Sequence, residues 1–284
     1  MKLNERAVIY IPDGEQTQKA LSRTTHLCIA AHQDDIEFMA YAPISECFGK
    51  PEKWFCGVVV SDGSGSPRNG VYAGYTDEDM KKIRVTEQKK AAFVGEYGAQ
   101  LLLGYPSSTV KDPENEEIVN ELVRILRATR PKFVYAHNIA DKHDTHLGAA
   151  MKTIAALRRL RSEERPHRVY GCEIWRSLDW MDDNDKIILN TGEHPNIARS
   201  LSGVFDSQIL GGKRYDLAAE GRRTANATYF QSHACDVYES INFAMDLTPL
   251  MLDKRLKISD FIGEHIRKFE RTVREKAAYY AKEK

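Results

Sequence analysis

The sequence predicts an α/β protein with a Rossmann-like, mostly parallel sheet that is flanked by helices and followed by a C-terminal helical extension. Two observations lead to this fold class. Short apolar runs alternate along the chain with longer amphipathic stretches, and helices that join successive strands imply a parallel sheet. The closing stretch is charged and amphipathic, with apolar residues at helical intervals. We therefore expect one large domain over residues 1–250 and a helical extension over residues 251–284.

Six apolar runs are short enough to be buried strands. They are His26–His32, Trp54–Ser61, Gln100–Tyr105, Phe133–His137, Arg168–Trp175 and Lys186–Asn190. In a parallel sheet, residues just beyond the C-terminal ends of the strands line the crevice where ligands bind. The polar segments that follow these strands are therefore the first candidates for a functional site.

Helices are predicted between and after the strands. Glu116–Thr129 carries Ile118, Leu122, Ile125 and Leu126 on one face. The other predicted helices are Glu78–Tyr97, Asn196–Ser207, Asp216–Tyr229 and Lys254–Glu283. We expect the apolar face of the last helix to pack on the body of the protein, and a contact between the subunits of a homo-oligomer is the alternative.

Composition and charge argue against several classes of partner. The chain has 41 basic and 41 acidic residues, so no net field attracts nucleic acid or an anionic membrane surface. No run approaches the roughly 20 apolar residues of a membrane span, and the first residues lack the apolar stretch of a signal peptide. The five cysteines are scattered rather than closely paired. We therefore expect a cytoplasmic protein that acts on a small molecule.

The segment Ala31–Glu37 (AHQDDIE) directly follows the first predicted strand. If the chain turns into a helix here, His32 and Asp35 lie three residues apart on one face and Asp34 projects elsewhere. One face then binds a metal ion, and the neighbouring carboxylate acts on water. Adjacent acids also commonly cap a helix N-terminus without any metal, so this segment alone leaves both interpretations open.

A second polar segment, His137–Gly148 (HNIADKHDTHLG), also follows a predicted strand and holds three of the nine histidines. His143 and His146 are separated by one helical turn, so both can face one ion, or one binds the ion while the other meets the substrate. Together with the first segment, this gives His32, Asp35 and His146 as three ligands that leave one coordination position open for water.

This mixed set of nitrogen and oxygen ligands favours Zn²⁺, although Fe²⁺ or Co²⁺ accepts the same donors. A metal with an open position lowers the pKa of bound water from about 15.7 toward 7. Asp34 lies beside the ligands in sequence and is the candidate general base that accepts the proton. The sequence therefore predicts a catalytic metal site rather than a structural one.

Four segments together resemble the motifs of a known family. They are AHQDD at residues 31–35, RVTEQKKAA at residues 84–92, Arg130-Pro131 before the fourth predicted strand, and HDTH at residues 143–146. The pattern resembles the LmbE-like or PIG-L family of zinc-dependent N-acetylglucosaminyl deacetylases, which have a Rossmann-like fold. This resemblance spans roughly the first half of the chain and part of the second.

The resemblance implies a role for each of six residues. They are the metal ligands His32, Asp35 and His146, the general base Asp34, the substrate-binding Arg84, and His143, which stabilises the tetrahedral intermediate or protonates the leaving amine.

Two positions depart from the family pattern. Gln33 stands where the family usually has proline, and HDTH replaces HPDH, so that Thr145 occupies the place of an acid. A carboxylate that orients His143 is therefore missing from its usual position. Asp144 or Asp141 is the expected substitute.

We therefore expect a metal-dependent hydrolase that removes an acyl group, typically acetyl, from an N-acylated amino sugar or a related glycoconjugate. In this reaction a protonated His143 stabilises the oxyanion or gives a proton to nitrogen. A non-catalytic relative that binds a sugar or a partner, and a metal-dependent phosphohydrolase, are the alternatives. A nucleotide-binding oxidoreductase is disfavoured, because the first strand is followed by AAHQDD rather than by G-x-G-x-x-G.

Overall fold

The computed structural model describes residues 1–282, and within them eight strands form one sheet. The strands are β1 (Val8–Tyr10), β2 (His26–Ala30), β3 (Phe55–Ser61), β4 (Ala99–Tyr105), β5 (Phe133–His137), β6 (Arg168–Cys172), β7 (Lys186–Asn190) and β8 (Ile241–Asp246). Their order in the sheet is β1-β4-β3-β2-β5-β6-β8-β7. The strands from β4 to β6 in this order pair in parallel, whereas β1, β7 and β8 pair antiparallel. The predicted α/β class with a mostly parallel sheet is confirmed.

Helices cover both faces of this sheet. They are α1 (Thr17–Ser22), α2 (Asp35–Met39), α3 (Tyr41–Cys47), α4 (Asp77–Val94), α5 (Ser107–Lys111), α6 (Glu116–Thr129), α7 (Asp144–Arg158), α8 (Pro195–Gly203), α9 (Asp206–Ile209), α10 (Tyr215–Tyr229), α11 (Thr248–Leu252) and α12 (Ile258–Ala281). Strand β2 shows how two apolar cores form: Leu27 and Ile29 join the core under α6 and α7, and Cys28 and Ala30 join the core under α3 and α4. This alternation is the two-residue period of a strand buried on both faces.

Two features of the fold differ from the sequence-based expectation. Strands β1 and β8 were not predicted, because β1 has only three residues and β8 includes Asn242 and ends at Asp246. The single helix expected over Asn196–Ser207 is interrupted, because Phe205 leaves the helical conformation (φ −86°, ψ 59°) and its side chain is fully buried.

The C-terminal helix α12 packs on the body of the protein by its first turns. Ile258, Phe261 and Ile262 contact the core, and the rings of Phe269 and Trp180 have their centroids 6.4 Å apart. The division between a domain over residues 1–250 and an extension over residues 251–284 stays a prediction. The last two residues of this extension lie outside the described part of the chain. No helix within residues 1–282 is long and apolar enough to span a bilayer.

The sheet order places a switch point between β2 and β5. From β2 the chain builds β3 and β4 on one side, and it later builds β5 and β6 on the other. Because β2 and β5 are parallel neighbours, their C-terminal ends lie side by side. The two polar segments that follow these strands therefore meet at the position where α/β sheets usually bind ligands.

Candidate metal centre

The structure brings together the three predicted metal ligands. The Nδ1 atom of His32 lies 3.2 Å from Oδ2 of Asp35 and 3.2 Å from Nε2 of His146. The Nε2 atom of His146 lies 3.3 Å from Oδ1 of Asp35. One ligand atom from each residue lies within 4.8 Å of the other two. Two imidazole nitrogens and a carboxylate oxygen at this separation are a donor set suited to Zn²⁺.

A local turn, rather than a continuous helix face, brings His32 to Asp35. Helix α2 begins only at Asp35, and Asp34 before it adopts a positive φ of 94°. The backbone N–H of His32 donates a hydrogen bond of 2.7 Å to Oδ2 of Asp35. The expectation that both side chains share one helix face was therefore wrong, because His32 lies before the start of α2.

A buried carboxylate orients His146. Its Nδ1 lies 3.0 Å from Oδ2 of Asp141, which holds the proton on Nδ1 and leaves the Nε2 lone pair directed at the candidate metal position. Burial alone lowers the pKa of His146, but Asp35 and Asp141 raise it to about 9. In the metal-free protein a metal ion must therefore displace a proton from this imidazole.

The contact between Asp141 and His146 also shows whether a carboxylate orients His143, as the sequence led us to expect. Asp141 serves His146, and the side chain of Asp144 is exposed. Among residues 1–282, Nδ1 of His143 has no hydrogen-bond partner. Neither aspartate therefore replaces the acid that the HDTH motif lacks.

We expect Asp141→Asn to weaken zinc binding by about 10- to 100-fold, because asparagine retains the shape of the side chain but loses the charge that fixes the His146 tautomer. Competition with a chromophoric chelator measures this affinity. Asp144→Asn is the matched control, since it removes an exposed carboxylate three residues away. Equal zinc affinity for the two variants would show that Asp141 does not support the site.

Sequence reasoning gave no role to His137, which lies against the ligands. This histidine is fully buried, and its Nε2 accepts the backbone N–H of Ala31 at 2.9 Å and lies 3.4 Å from Oδ2 of Asp35. Its ring is stacked on that of His146, with centroids 3.9 Å apart. His137, Asp141 and His146 are also close enough to form a second ligand group. In this second group, however, Asp141 already contacts His146, and His137 already contacts Asp35 of the first group. The rule that strand ends line the site would have found His137, because it is the last residue of β5.

Asp34 is buried beside the ligands and is held at two points. Its backbone N–H donates to Oε1 of Gln88 at 3.2 Å, and its carboxylate lies 3.3 Å from the guanidinium of Arg84. Burial raises the pKa of Asp34 to about 7, with Asp35 adding to the effect and Arg84 opposing it. A carboxylate with this pKa can accept and release a proton near neutral pH.

Arg84, the predicted substrate-binding residue, lies in the cavity wall behind Asp34. Only 1% of Arg84 is exposed, and its guanidinium donates to the backbone oxygen of Gln33 and lies 3.8 Å from Glu87. Glu87 in turn accepts hydrogen bonds from the backbone and hydroxyl of Ser207, both at 2.7 Å. The contacts of Arg84 within the protein therefore position Asp34, and its role toward a substrate stays a prediction.

Another buried acid, Glu37, contacts Gln88 in this region. Its Oε1 accepts hydrogen bonds from the hydroxyl of Tyr97 at 2.7 Å and from Nε2 of Gln88 at 2.8 Å, and its Oε2 has no partner among the described residues. Burial raises the pKa of Glu37 to about 8. Glu37 is therefore protonated at neutral pH, and it fixes the Gln88 amide that holds the backbone of Asp34.

The Glu37 proton predicts a pH-dependent stability. The pKa of Glu37 in the folded protein lies above the ordinary value of 4.5. The protonated Glu37 side chain therefore stabilises the folded state fully below pH 4.5, and this stabilisation is lost as the pH rises toward 8. Relative to Glu37→Gln, the wild-type free energy of unfolding should fall by about 1 kcal/mol per pH unit in this window. Urea unfolding of both metal-free proteins at several pH values measures the difference, and parallel pH profiles would contradict it.

His143 lies over the ligand cluster and is neutral. Its ring centroid is 4.5 Å from that of His146 and 5.0 Å from that of His32. Burial and the charges of these two histidines lower the pKa of His143 to about 4. The protonated form expected from the sequence is therefore disfavoured, and a neutral imidazole faces the site as a hydrogen-bond donor or acceptor.

A cavity of about 560 Å³ opens above these residues. Its floor includes His32, Asp34, Asp35 and His143. Trp175 forms part of one wall, with its ring 5.6 Å from that of His143. The volume is that of a typical small-molecule site. The candidate base Asp34 and two of the three candidate ligands, His32 and Asp35, line it together.

The glycine-rich loop after β3 supplies another wall, since Gly63, Ser66 and Pro67 line the cavity. The side chain of Gln33 packs under this loop and donates from Nε2 to the backbone oxygen of Ser61 at 3.2 Å. A Cβ at Gly63, which has a φ of +76°, would lie 2.5 Å from Oε1 of Gln33. The replacement of the family's proline by Gln33 is therefore accommodated by a glycine at the closest point of contact.

A mostly parallel α/β sheet with histidines and carboxylates that converge at its switch point defines an α/β protein with a candidate metal centre. The chain belongs to the PIG-L family: residues 27–182 match the family described as PIG-L, GlcNAc-PI de-N-acetylase. The resemblance inferred from the motifs is thereby confirmed. Membership of this family supports a hydrolase of the deacetylase class.

Solved structures with the same fold come from several organisms. The conserved protein TT1542 of Thermus thermophilus is 18% identical, with a TM-score of 0.59 over 78% of this chain and 93% of that chain. The 4-carboxy-2-hydroxymuconate hydratase GalB of Pseudomonas putida is 16% identical, with a TM-score of 0.58 and coverages of 79% and 95%. The N,N'-diacetylchitobiose deacetylase of Pyrococcus horikoshii is 15% identical, with a TM-score of 0.58 and coverages of 82% and 88%. Because a hydratase and a deacetylase share this fold, the fold alone does not decide the reaction.

Proposed function

We propose that this protein is a metal-dependent N-deacetylase that removes an acetyl group from an N-acetylated amino sugar or a related glycoconjugate. The observation that supports this best is the convergence of His32, Asp35 and His146 on one point, with Asp34 facing the same cavity. Membership of the PIG-L family adds the deacetylase chemistry. The proposed ion is Zn²⁺, and Fe²⁺ or Co²⁺ fits the same donors.

The two histidines and Asp35 would hold the ion, which when bound polarises the amide carbonyl and makes water acidic. Asp34 accepts the proton of the attacking water and passes it to the amine nitrogen as the C–N bond breaks. The guanidinium of Arg84 at 3.3 Å and the Gln88 amide keep the Asp34 carboxylate directed at the cavity. His143, as a neutral ring, offers a hydrogen bond to the developing oxyanion or to the leaving nitrogen.

Two alternatives from the sequence are less well supported. An HD-type phosphohydrolase needs His143 and Asp144 as adjacent ligands within a helical bundle, whereas here Asp144 is exposed beside a parallel sheet. A non-catalytic binding protein has no need of a buried carboxylate with a pKa near 7 beside the ligand set.

Acetate release tests the proposal. The purified protein is loaded with Zn²⁺, Fe²⁺ or Co²⁺ and incubated with N-acetylglucosamine, its methyl glycoside and N,N'-diacetylchitobiose. We expect acetate from at least one compound, loss of the activity with a chelator, and recovery on adding the metal back. Metal binding without acetate release from any N-acetylated sugar would favour the binding protein.

A further inference from the structure

One wall of the cavity is a single face of α10. Tyr215, Ala218, Ala219 and Arg222 all line the cavity, and their spacing places them on one side of the helix. Because a helix rises about 1.5 Å per residue, this face extends about 10 Å from Tyr215 to Arg222. The two alanines between these larger residues leave the space along the helix open.

This face begins beside the candidate catalytic residues. The ring centroids of Tyr215 and Trp175 are 6.2 Å apart, and those of Trp175 and His143 are 5.6 Å apart. Arg222 lies two helical turns beyond Tyr215 and donates a hydrogen bond to the backbone oxygen of Ile174. A substrate with its amide at His143 therefore has room to extend along α10 toward Arg222.

Two of the basic side chains on this wall have no acidic partner among the described residues. Within residues 1–282, neither Arg222 nor Lys213 forms an ion pair with an acid, whereas Arg214 is held by Asp216 at 2.8 Å. Nζ of Lys213 lies 5.3 Å from the ring centroid of Trp175. Glu173, a buried acid at the same wall, accepts hydrogen bonds from two backbone N–H groups at 2.9 Å each. A cavity-lining guanidinium without a carboxylate partner is well suited to bind an anion.

We infer that the α10 face is a subsite for an anionic group, a carboxylate or a phosphate monoester, carried by the amine-side part of the substrate. This inference rests on the proposed deacetylase function and names its substrate class. Arg222 binds the anion, Lys213 adds positive charge at the rim, and Ala218 and Ala219 make room for the linking atoms.

Three compounds that share the acetamido group test the subsite: the neutral methyl glycoside of N-acetylglucosamine, its carboxymethyl glycoside, and N-acetylglucosamine 1-phosphate. A charge-assisted hydrogen bond predicts that wild-type kcat/KM is about 10-fold higher for an anionic compound than for the neutral one. Arg222→Gln should bring this ratio close to one by raising KM for the anionic compounds. Arg222→Lys should restore part of the ratio. The two anionic compounds show whether carboxylate or phosphate is preferred.

Two further variants separate charge from space. Arg214→Gln removes a positive charge that Asp216 already neutralises, so the ratio should persist. Ala219→Leu fills the groove without changing charge, so it should lower kcat/KM for both anionic compounds more than for the methyl glycoside. Equal wild-type values for neutral and anionic compounds, or an unchanged ratio in Arg222→Gln, would overturn the subsite.

Direct binding keeps this test separate from the proposed function. The carboxymethyl glycoside and the 1-phosphate are titrated against the protein while tryptophan fluorescence is followed, with Trp175→Phe identifying the signal of Trp175. Binding that is about 10-fold weaker in Arg222→Gln supports the subsite even if no acetate is released, in which case only the deacetylase proposal fails. Equal binding by the wild type and Arg222→Gln overturns the subsite.

Discussion

Asp34→Asn is expected to lower kcat by about 10²- to 10⁴-fold while leaving the zinc content of the protein unchanged. Asparagine keeps the size of the side chain and its contact with Arg84, but it cannot accept a proton from water. The substitution also suits the backbone, because Asp34 has a φ of 94° and asparagine tolerates positive φ better than most residues. The loss therefore reports on proton transfer rather than on folding.

Steady-state kinetics with a responsive N-acetylated sugar, together with metal analysis of the same preparations, measure this effect. Asp144→Asn is a suitable control, since it removes an exposed carboxylate at the start of α7 and should keep its activity. Full activity of Asp34→Asn would show that another group is the base. Loss of zinc from this variant would instead make Asp34 part of the ligand set.

The fold and the clustering of the candidate ligands were accessible from the sequence for the same reason. Apolar strands are local patterns, and in a parallel sheet their C-terminal ends share one edge. His32 and Asp35 follow the end of β2 directly, and His146 lies in the first turn of α7, the helix that follows β5. Polar residues that follow two buried parallel strands lie near each other when these strands are neighbours in the sheet, as β2 and β5 are.

Contacts between elements distant in sequence were not accessible in this way. The sequence places Asp141 and His143 two residues apart, but the turn between them directs Asp141 to His146. Likewise, Arg222 lies on an amphipathic helix, and its place in the cavity wall follows only from the packing of α10. Partner choice among buried polar groups depends on three-dimensional packing, which residue spacing does not determine.

His32→Ala is expected to weaken zinc binding by at least about 100-fold and to abolish turnover at trace metal concentrations. Among the three candidate ligands His32 offers the cleanest test, because 21% of its side chain is exposed and its side-chain hydrogen bonds reach only Asp35 and His146. By contrast, removing the fully buried His146 would strip the partner from two buried carboxylates, and protein stability would fall as well.

Zinc titration, thermal melting of the metal-free protein and the acetate assay together distinguish the outcomes for His32→Ala. The melting temperature without metal should stay close to that of the wild type, whereas the rise in melting temperature on adding zinc should disappear at concentrations that saturate the wild type. Partial recovery of activity by exogenous imidazole would identify the lost donor as a metal ligand. Wild-type zinc affinity in this variant would place the ion elsewhere, and the second group of His137, Asp141 and His146 would then become the candidate.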